Sequence, residues 1–237
     1  MFPELLNVGI GLATSLLGAV LGRLWERGRR RRGLNRKAVF FGVRPGEDCL
    51  IVLGSKHGTP GSAHHRDARA GIELAVLLAE FGCRVAVEPG TLRGGNGDRT
   101  EFCIGGPVGG ANPRTGGHLA AHLPGVAIRP FGSGDDAVAF AVGGQQYDFD
   151  RGVQEYALVA RFTPVESTRP VILVCGQSSV ANQAAVQFLR RDYAQVAASV
   201  ASVHRFCVLI RVGHIGTYLF HRASLEGDVS AAAFGHG

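Results

Sequence analysis

Three apolar runs in the sequence each end in a glycine and then turn polar, at Gly54-Ser55-Lys56-His57, Gly105-Gly106-Pro107 and Gly176-Gln177-Ser178-Ser179. Glycine lets a backbone approach a ligand closely. A helix that opens just after such a loop offers unpaired N–H groups and the positive end of its dipole. Three such loops side by side suit a phosphate, a carboxylate or a ribose-bearing ligand. The candidate ligand-binding residues are Gly54, Ser55 and His57 in the first loop and Gly105 and Gly106 in the second. Gly176, Gln177, Ser178 and Ser179 come from the third. Asn112 and Thr115, beyond the second loop, join them. The competing reading is that these glycines make tight turns and nothing more. No loop has the GxxxxGKS or GxxxxGKT form, which argues against a P-loop nucleotidase. The run from Gly105 to Asn112 has its glycines at the wrong offsets for a GxGxxG dinucleotide site.

Acid–base groups lie close to the first loop. Lys56, His57, His64, His65, Arg66 and Asp67 fall within a short stretch, and Glu73 follows inside a helical pattern. A carboxylate on a helix that faces a crevice can attack a ribosyl centre or move a proton, so Asp67, Glu73 and His57 are the catalytic candidates. Adjacent His64 and His65 cannot share a helical face. His118 and His122 are spaced i, i+4, as in zinc-binding helices, but Leu119 stands where a zinc protease carries its glutamate. Neither a metal nor a cofactor is expected. Ser178 and Ser179 read as helix caps, since no GxSxG elbow is present.

Positioning these groups requires alternating strands and helices. Cys49 to Leu53 is a continuous apolar run, and Ala63 to Phe81 has helical spacing through Ala68, Ile72, Ala75, Val76 and Ala79. Gly82 closes that helix and Cys83 to Val87 is again apolar. Glu101 to Ile104 and Val171 to Cys175 repeat the pattern. The latter leads into a helix over Val180 to Val200 and a strand over Phe206 to Val212. Thr115 caps a short helix through His122. Gly143-Gly144 joins a hairpin between Ala137–Val142 and Gln146–Phe149, and Tyr156 to Phe162 is a further strand. The expected fold class is α/β: a Rossmann-like three-layer sandwich with a mostly parallel sheet and an inserted β-hairpin, preceded by one transmembrane helix.

The net charge of +6 is unevenly placed. Arg23, Arg27, Arg29, Arg30, Arg31, Arg32, Arg36 and Lys37 cluster in one stretch, and from Ala38 onward the two signs balance. That balance gives no support for a nucleic-acid binder. Leu5 to Gly22 is uncharged and rises roughly 27 Å as a helix, close to the thickness of a bilayer core. Residues 1–26 are therefore expected to be a membrane anchor, 27–47 a basic juxtamembrane linker, 48–230 a cytoplasmic domain and 231–237 a flexible tail. The positive charges put the N-terminus outside. Lipid is the expected partner of residues 5–37, and the small face Gly11, Ser15, Gly18 and Gly22 suits a homo-oligomer. Cys49, Cys83, Cys103, Cys175 and Cys207 have no CxxC spacing and read as reduced, buried thiols.

The run from Cys49 to Val87, with Gly54, Asp67 and an alanine-rich helix, resembles Rossmannoid folds of the nucleotide-sensing and base-releasing kind. The lysine-decarboxylase-like (LOG) family is one example. The resemblance implies a nucleotide-like ligand. That family's PGGxGT signature is missing, because Gly105-Gly106-Pro107 reverses its order, so no catalytic residue carries over. The later combination of Gly105-Gly106-Pro107, Asn112, Thr115, a hairpin, Tyr156 and Gly176 resembles bacterial single-pass membrane proteins. The expected function is a membrane-anchored domain binding a nucleotide-like or anionic small molecule as a sensor or effector. The alternatives are a membrane-bound hydrolase or N-glycosyl-cleaving enzyme, and an oligomeric assembly protein without ligand.

Overall fold

Burial alternates along the central strands. In the first of them, Cys49 and Ile51 pack into one apolar cluster while Leu50 and Val52 pack into another on the opposite face. Ile172 and Val174 likewise oppose Leu173 and Cys175, and Val208 and Ile210 oppose Cys207 and Leu209. Side chains that leave a strand on alternate sides and are apolar on both require cover on both faces, which makes three layers. Each fully buried Leu, Ile or Val contributes about 1.5–3 kcal/mol relative to exposure.

The computed structural model describes residues 2–56, 59–128 and 138–235, with backbone only over 2–17 and at 20 and 60. The elements in order are α1 (Phe2–Phe40), β1 (Asp48–Leu53), β2 (Ser55–Lys56), β3 (Thr59–Ala63), α2 (His65–Glu80), β4 (Arg84–Pro89), β5 (Thr100–Ile104) and α3 (Pro113–His122). There follow β6 (Val126–Ile128), β7 (Phe140–Val142), β8 (Gln145–Tyr147), β9 (Gln154–Phe162), β10 (Val171–Gly176) and α4 (Ser179–Ser199). The chain ends with β11 (Phe206–Gly213), α5 (Ile215–Tyr218), β12 (Ala223–Asp228) and α6 (Ser230–Phe234).

The main sheet has seven strands in the order β12-β11-β9-β10-β5-β1-β4. Strands β4, β1, β5 and β10 are parallel neighbours, and β9 is antiparallel to both β10 and β11. A mostly parallel, Rossmann-like α/β sheet is therefore what these residues build. β9 runs antiparallel to β10 because a short connection without a crossover helix joins them, and such a connection returns a chain to a neighbouring strand only antiparallel. α2, α4 and the end of α1 cover one face. α3, α6 and the small sheet β6-β7-β8 cover the other. The expected hairpin is present as β7–β8, with Gly143 and Gly144 both at positive φ (56° and 84°), and β6 extends it to three strands.

α1 runs unbroken through the basic stretch as far as Phe40. Ala38, Phe40, Phe41 and Val43 are all buried in the core. Arginine and lysine are good helix formers, so nothing breaks α1 before Gly42, which takes φ +68°. Near the C-terminus α6 packs on the sheet with Ala233 fully buried, and Ser230 Oγ accepts from Cys207 N at 2.8 Å. On α2 the buried face is Ala70, Gly71, Leu74, Leu77 and Leu78, leaving Ile72 and Val76 exposed. Gly71 permits this rotation, since a Cβ there would lie 3.0 Å from Leu53 Cδ2. Among the described residues no helix is long and apolar enough to cross a membrane. The side chains of the expected anchor, Gly11 and Ser15 included, fall largely outside the described residues, and nothing lies within 4 Å of where a Cβ of Gly18 or Gly22 would be.

One buried cation ties α1 to the sheet. Arg161 on β9 is 5% exposed, and its Nη1 donates to Val39 O at 2.8 Å and Phe40 O at 2.7 Å. These are carbonyls of the last turn of α1, where the dipole is negative. Burial pushes the guanidinium down to about 10, so it stays charged at neutral pH. Replacing Arg161 with Met leaves both carbonyls without their donor. The expected loss is about 3 kcal/mol in urea unfolding. A variant as stable as the wild type would show that this contact does not hold the helix.

Candidate functional site

The chain leaves β1, crosses over α2 to β4 on one side, and returns to β5 on the other. The carboxyl ends of β1 and β5 thus form a topological switch point, where open α/β sheets leave a crevice. Gly54 and Gly105 face each other there: a Cβ on Gly105, whose φ is +107°, would lie 3.5 Å from Gly54 Cα. The end of β10, at Gly176, adjoins them.

A cavity of about 210 Å³ opens at this point. Gly54, Ser55, Gly105 and Gly106 line one side, and Gly176, Gln177, Ser178, Ser179 and Asn182 another. Asp67 also lines it, from the first turn of α2. Val108, Ala111, Ile128, Val138, Phe140 and Cys175 form an apolar wall. The three glycine-led loops therefore meet around one space. No lysine or arginine is among the described residues lining it.

Several lining groups already have partners. Gln177 Oε1 accepts from Tyr156 N and its Nε2 donates to Tyr147 O, both at 2.8 Å, which pins the small sheet to the body. Ser178 caps α4, accepting from Val180 N at 3.0 Å and Ala181 N at 3.4 Å, and its hydroxyl donates to Glu155. The amino end of α4 therefore already faces a carboxylate, and burial pushes Glu155 up. Asn182 Oδ1 accepts from Gly176 N at 2.6 Å and its Nδ2 donates to Asp67 Oδ1 at 2.8 Å. Among the described residues nothing donates to Asp67 Oδ2, and the hydroxyls of Ser55 and Ser179 have no hydrogen-bond partner. Burial pushes Asp67 up to about 6 against the bond from Asn182, which lowers it.

No protein-family model matches the chain, and no curated protein or solved structure matches it. The chemistry of the site is thus read from its own residues.

The other sequence candidates lie elsewhere. Asn112, fully buried, is the N-cap of α3 in place of Thr115. Its Oδ1 accepts from Thr115 N and its Nδ2 donates to Ile104 O, each at 3.1 Å, so it braces the loop after β5 without lining the cavity. Thr115 is buried in α3. Glu73 faces α4, accepting from Gln187 Nε2 at 3.0 Å with Arg69 at 3.6 Å, and does not line the cavity. His57 lies outside the described residues. His64 is the N-cap of α2. Asn182, Glu155 and Phe140 were missed. Asn182 had a signal, a polar residue on the buried alanine face of α4. Glu155 and Phe140 reach the site only through the antiparallel return and the small sheet.

A second buried cluster proves structural. Glu101, Cys103 and His118 are the one group among the described residues whose potential metal-ligand atoms lie within 4.8 Å of one another. Arg114 already bonds both oxygens of Glu101 at 2.7 Å, with its guanidinium where a cation would sit. His118 approaches at 3.0 Å and Cys103 Sγ donates at 3.1 Å. Burial pushes Glu101 up, but these bonds outweigh it and hold the carboxyl at about 2. The i, i+4 partner His122 stacks on Phe162, ring centres 4.7 Å apart.

Asp67 gives the fold a pH signature. Its carboxyl holds a proton more tightly folded (about 6) than at its ordinary value of 3.8. The native state therefore loses stability as pH rises through 6. The expected loss is about 1.4 kcal/mol between pH 5 and pH 8. Asp67→Asn removes this slope, so urea midpoints of variant and wild type should diverge with rising pH, the variant being the more stable. Parallel pH profiles would refute the assignment.

Proposed function

We propose that the switch-point cavity binds a small nucleoside-like molecule and that this binding is what the domain does. The supporting observation is the pairing of a free, buried carboxyl oxygen on Asp67 and the hydroxyls of Ser55 and Ser179 with an apolar wall around Phe140. A carboxylate accepts from ribose hydroxyls, and an apolar wall suits the flat face of a base. The absence of lysine and arginine among the described lining residues, together with Glu155 at the amino end of α4, disfavours the anionic part of the expectation. Neutral nucleosides fit this lining better than nucleotides.

A second reading is favoured by one observation: a carboxyl at about 6 is poised to give or take a proton near neutrality. In that reading Asp67 assists hydrolysis of an N-glycosidic bond in the same cavity, and Glu73 takes no part. Both readings are tested together. The four ribonucleosides and their 5′-monophosphates are incubated with the protein at pH 7, with bound ligand and released base read by mass spectrometry. At least one nucleoside should bind saturably and more tightly than its monophosphate, and Asp67→Asn or Ala111→Trp should weaken it at least tenfold. Released base that vanishes with Asp67→Asn would establish the enzyme. The binding proposal fails if no nucleoside binds, or if the monophosphate binds tighter.

The membrane reading stands as a proposal for α1. What supports it is a continuous helix whose residues from 21 to 36 are exposed or half-exposed. Leu21, Leu24 and Trp25 face solvent just before arginines that ring the helix on all sides. A ring of charge suits a helix passing steeply through lipid headgroups rather than lying flat among them. Vesicles of phosphatidylcholine with 30% phosphatidylglycerol, a proportion of roughly the order that gives native membranes their anionic surface, should capture the full chain. Gln at positions 29–32 should lower that capture at least tenfold. Equal capture by pure phosphatidylcholine would remove the electrostatic part of the proposal, and no capture at all would remove the whole.

A further inference from the structure

A second cleft, of about 400 Å³, lies at the carboxyl end of β11. Arg191 from α4, Arg211 and His214 from the end of β11, and His221 and Arg222 from the approach to β12 line it, with Ser224 beside them. No Asp or Glu is among its lining residues. The single ion pair that any of these arginines makes among the described residues is Arg191 with its neighbour Asp192, at 2.7 Å. Arg211 and Arg222 have no carboxylate partner there.

The backbone that carries this cleft is held in an uncommon shape. His214 takes φ 54° and ψ 40°, and Leu219 takes φ 51° and ψ −122°. Side chains other than glycine rarely adopt either, and such residues persist where the surroundings fix them. Here Ile215 and Phe220 are buried as anchors, Gly216 N donates to Gly152 O at 2.7 Å, and Gly213 N donates to Arg222 O at 3.0 Å. The result sets Arg222 over the ring of Tyr218, 4.9 Å from its centre, which restricts the guanidinium before any ligand arrives.

We propose that this cleft is a binding site for a compact phosphoryl- or sulfuryl-bearing anion. Arg211 and Arg222 have no carboxylate partner among the described residues, so an oxyanion in the cleft would meet guanidinium donors not already held by an ion pair. The planar fork of a guanidinium matches two oxygens of such a group. Arg191, Arg211 and Arg222 are the only arginines among the described residues lining the cleft and no lysine joins them, a cluster too compact to follow a polymer backbone. The occupant is therefore a small molecule rather than a nucleic acid. The site is independent of the nucleoside cavity and shares no lining residue with it.

The test is calorimetric titration at constant ionic strength with inorganic pyrophosphate, and separately with sulfate to distinguish the two oxyanions. It uses the full chain carrying Gln at positions 29–32, so that the basic helix does not compete. One saturable site per chain is expected. Arg211→Gln and Arg222→Gln should each weaken it about tenfold. Ser224→Glu, at an exposed position paired across the strands with Arg211, adds a carboxylate to the wall while leaving every arginine in place, and should abolish it. Arg93→Gln, at a distant exposed position, should leave it unchanged. Titrations that never saturate, or that are the same in Ser224→Glu, overturn the proposal. So does a single-stranded oligonucleotide that binds here and is not displaced by pyrophosphate.

Discussion

The side chain of Asn182 is the joint on which the site depends. Its carbonyl oxygen takes the N–H of Gly176 at the end of β10, and its amide donates to Asp67 in the first turn of α2. The end of β10, the start of α4 and the distant first turn of α2 are thus fixed to one planar group. Both ends of that amide are committed, so its orientation is determined and Asp67 is held with one oxygen bonded and the other free. Gly176 is required by the same geometry: a Cβ there would lie 2.6 Å from Asn182 N. Burying a carboxyl away from any cation is unfavourable for its charged form, and the single bond from Asn182 offsets that only in part. The proton affinity of Asp67 is accordingly a property of the joint as much as of the residue.

Asp67 and Glu101, two of the three buried carboxyls among the described residues, contrast in this respect. Glu101 is fully buried yet held strongly ionised, because Arg114, His118 and Cys103 all bond to it. It locks α3 onto β5 and leaves no capacity for chemistry. Asp67 is nearly as buried, has one neutral partner, and opens onto space. Similar burial with different partners thus separates a structural carboxyl from one available to a ligand. Residue type and spacing could not make that distinction: Glu73 looked as suitable as Asp67 in the helical pattern, and Glu101 read only as the start of an apolar run.

How much was legible follows from what each signal depends on. The parallel half of the sheet was readable because strands buried on both faces are continuous apolar runs, and the three glycine-ended loops followed from them. β12 was not readable. It is an edge strand of alternating half-buried and exposed residues, Ala223 to Asp228, with no apolar run to mark it. The direction of β9 was hidden because its apolar content is the same whichever way it runs. The buried end of α1 was masked by the arginines before it, since Ala38, Phe40, Phe41 and Val43 are too few to stand out. Asn112 displaced Thr115 as the cap of α3 because Pro113 fixes the first helical residue immediately after it.

β9 joins two features that were described separately. Near its carboxyl end, Arg161 grips the last turn of α1. Near its amino end, Glu155 takes the hydroxyl of Ser178 at the rim of the cavity. The strand between them is buried along its length and hydrogen-bonded on both edges, by β10 and β11, so it cannot stretch or buckle independently of the sheet. The long helix and the cavity rim are therefore opposite ends of one stiff rod.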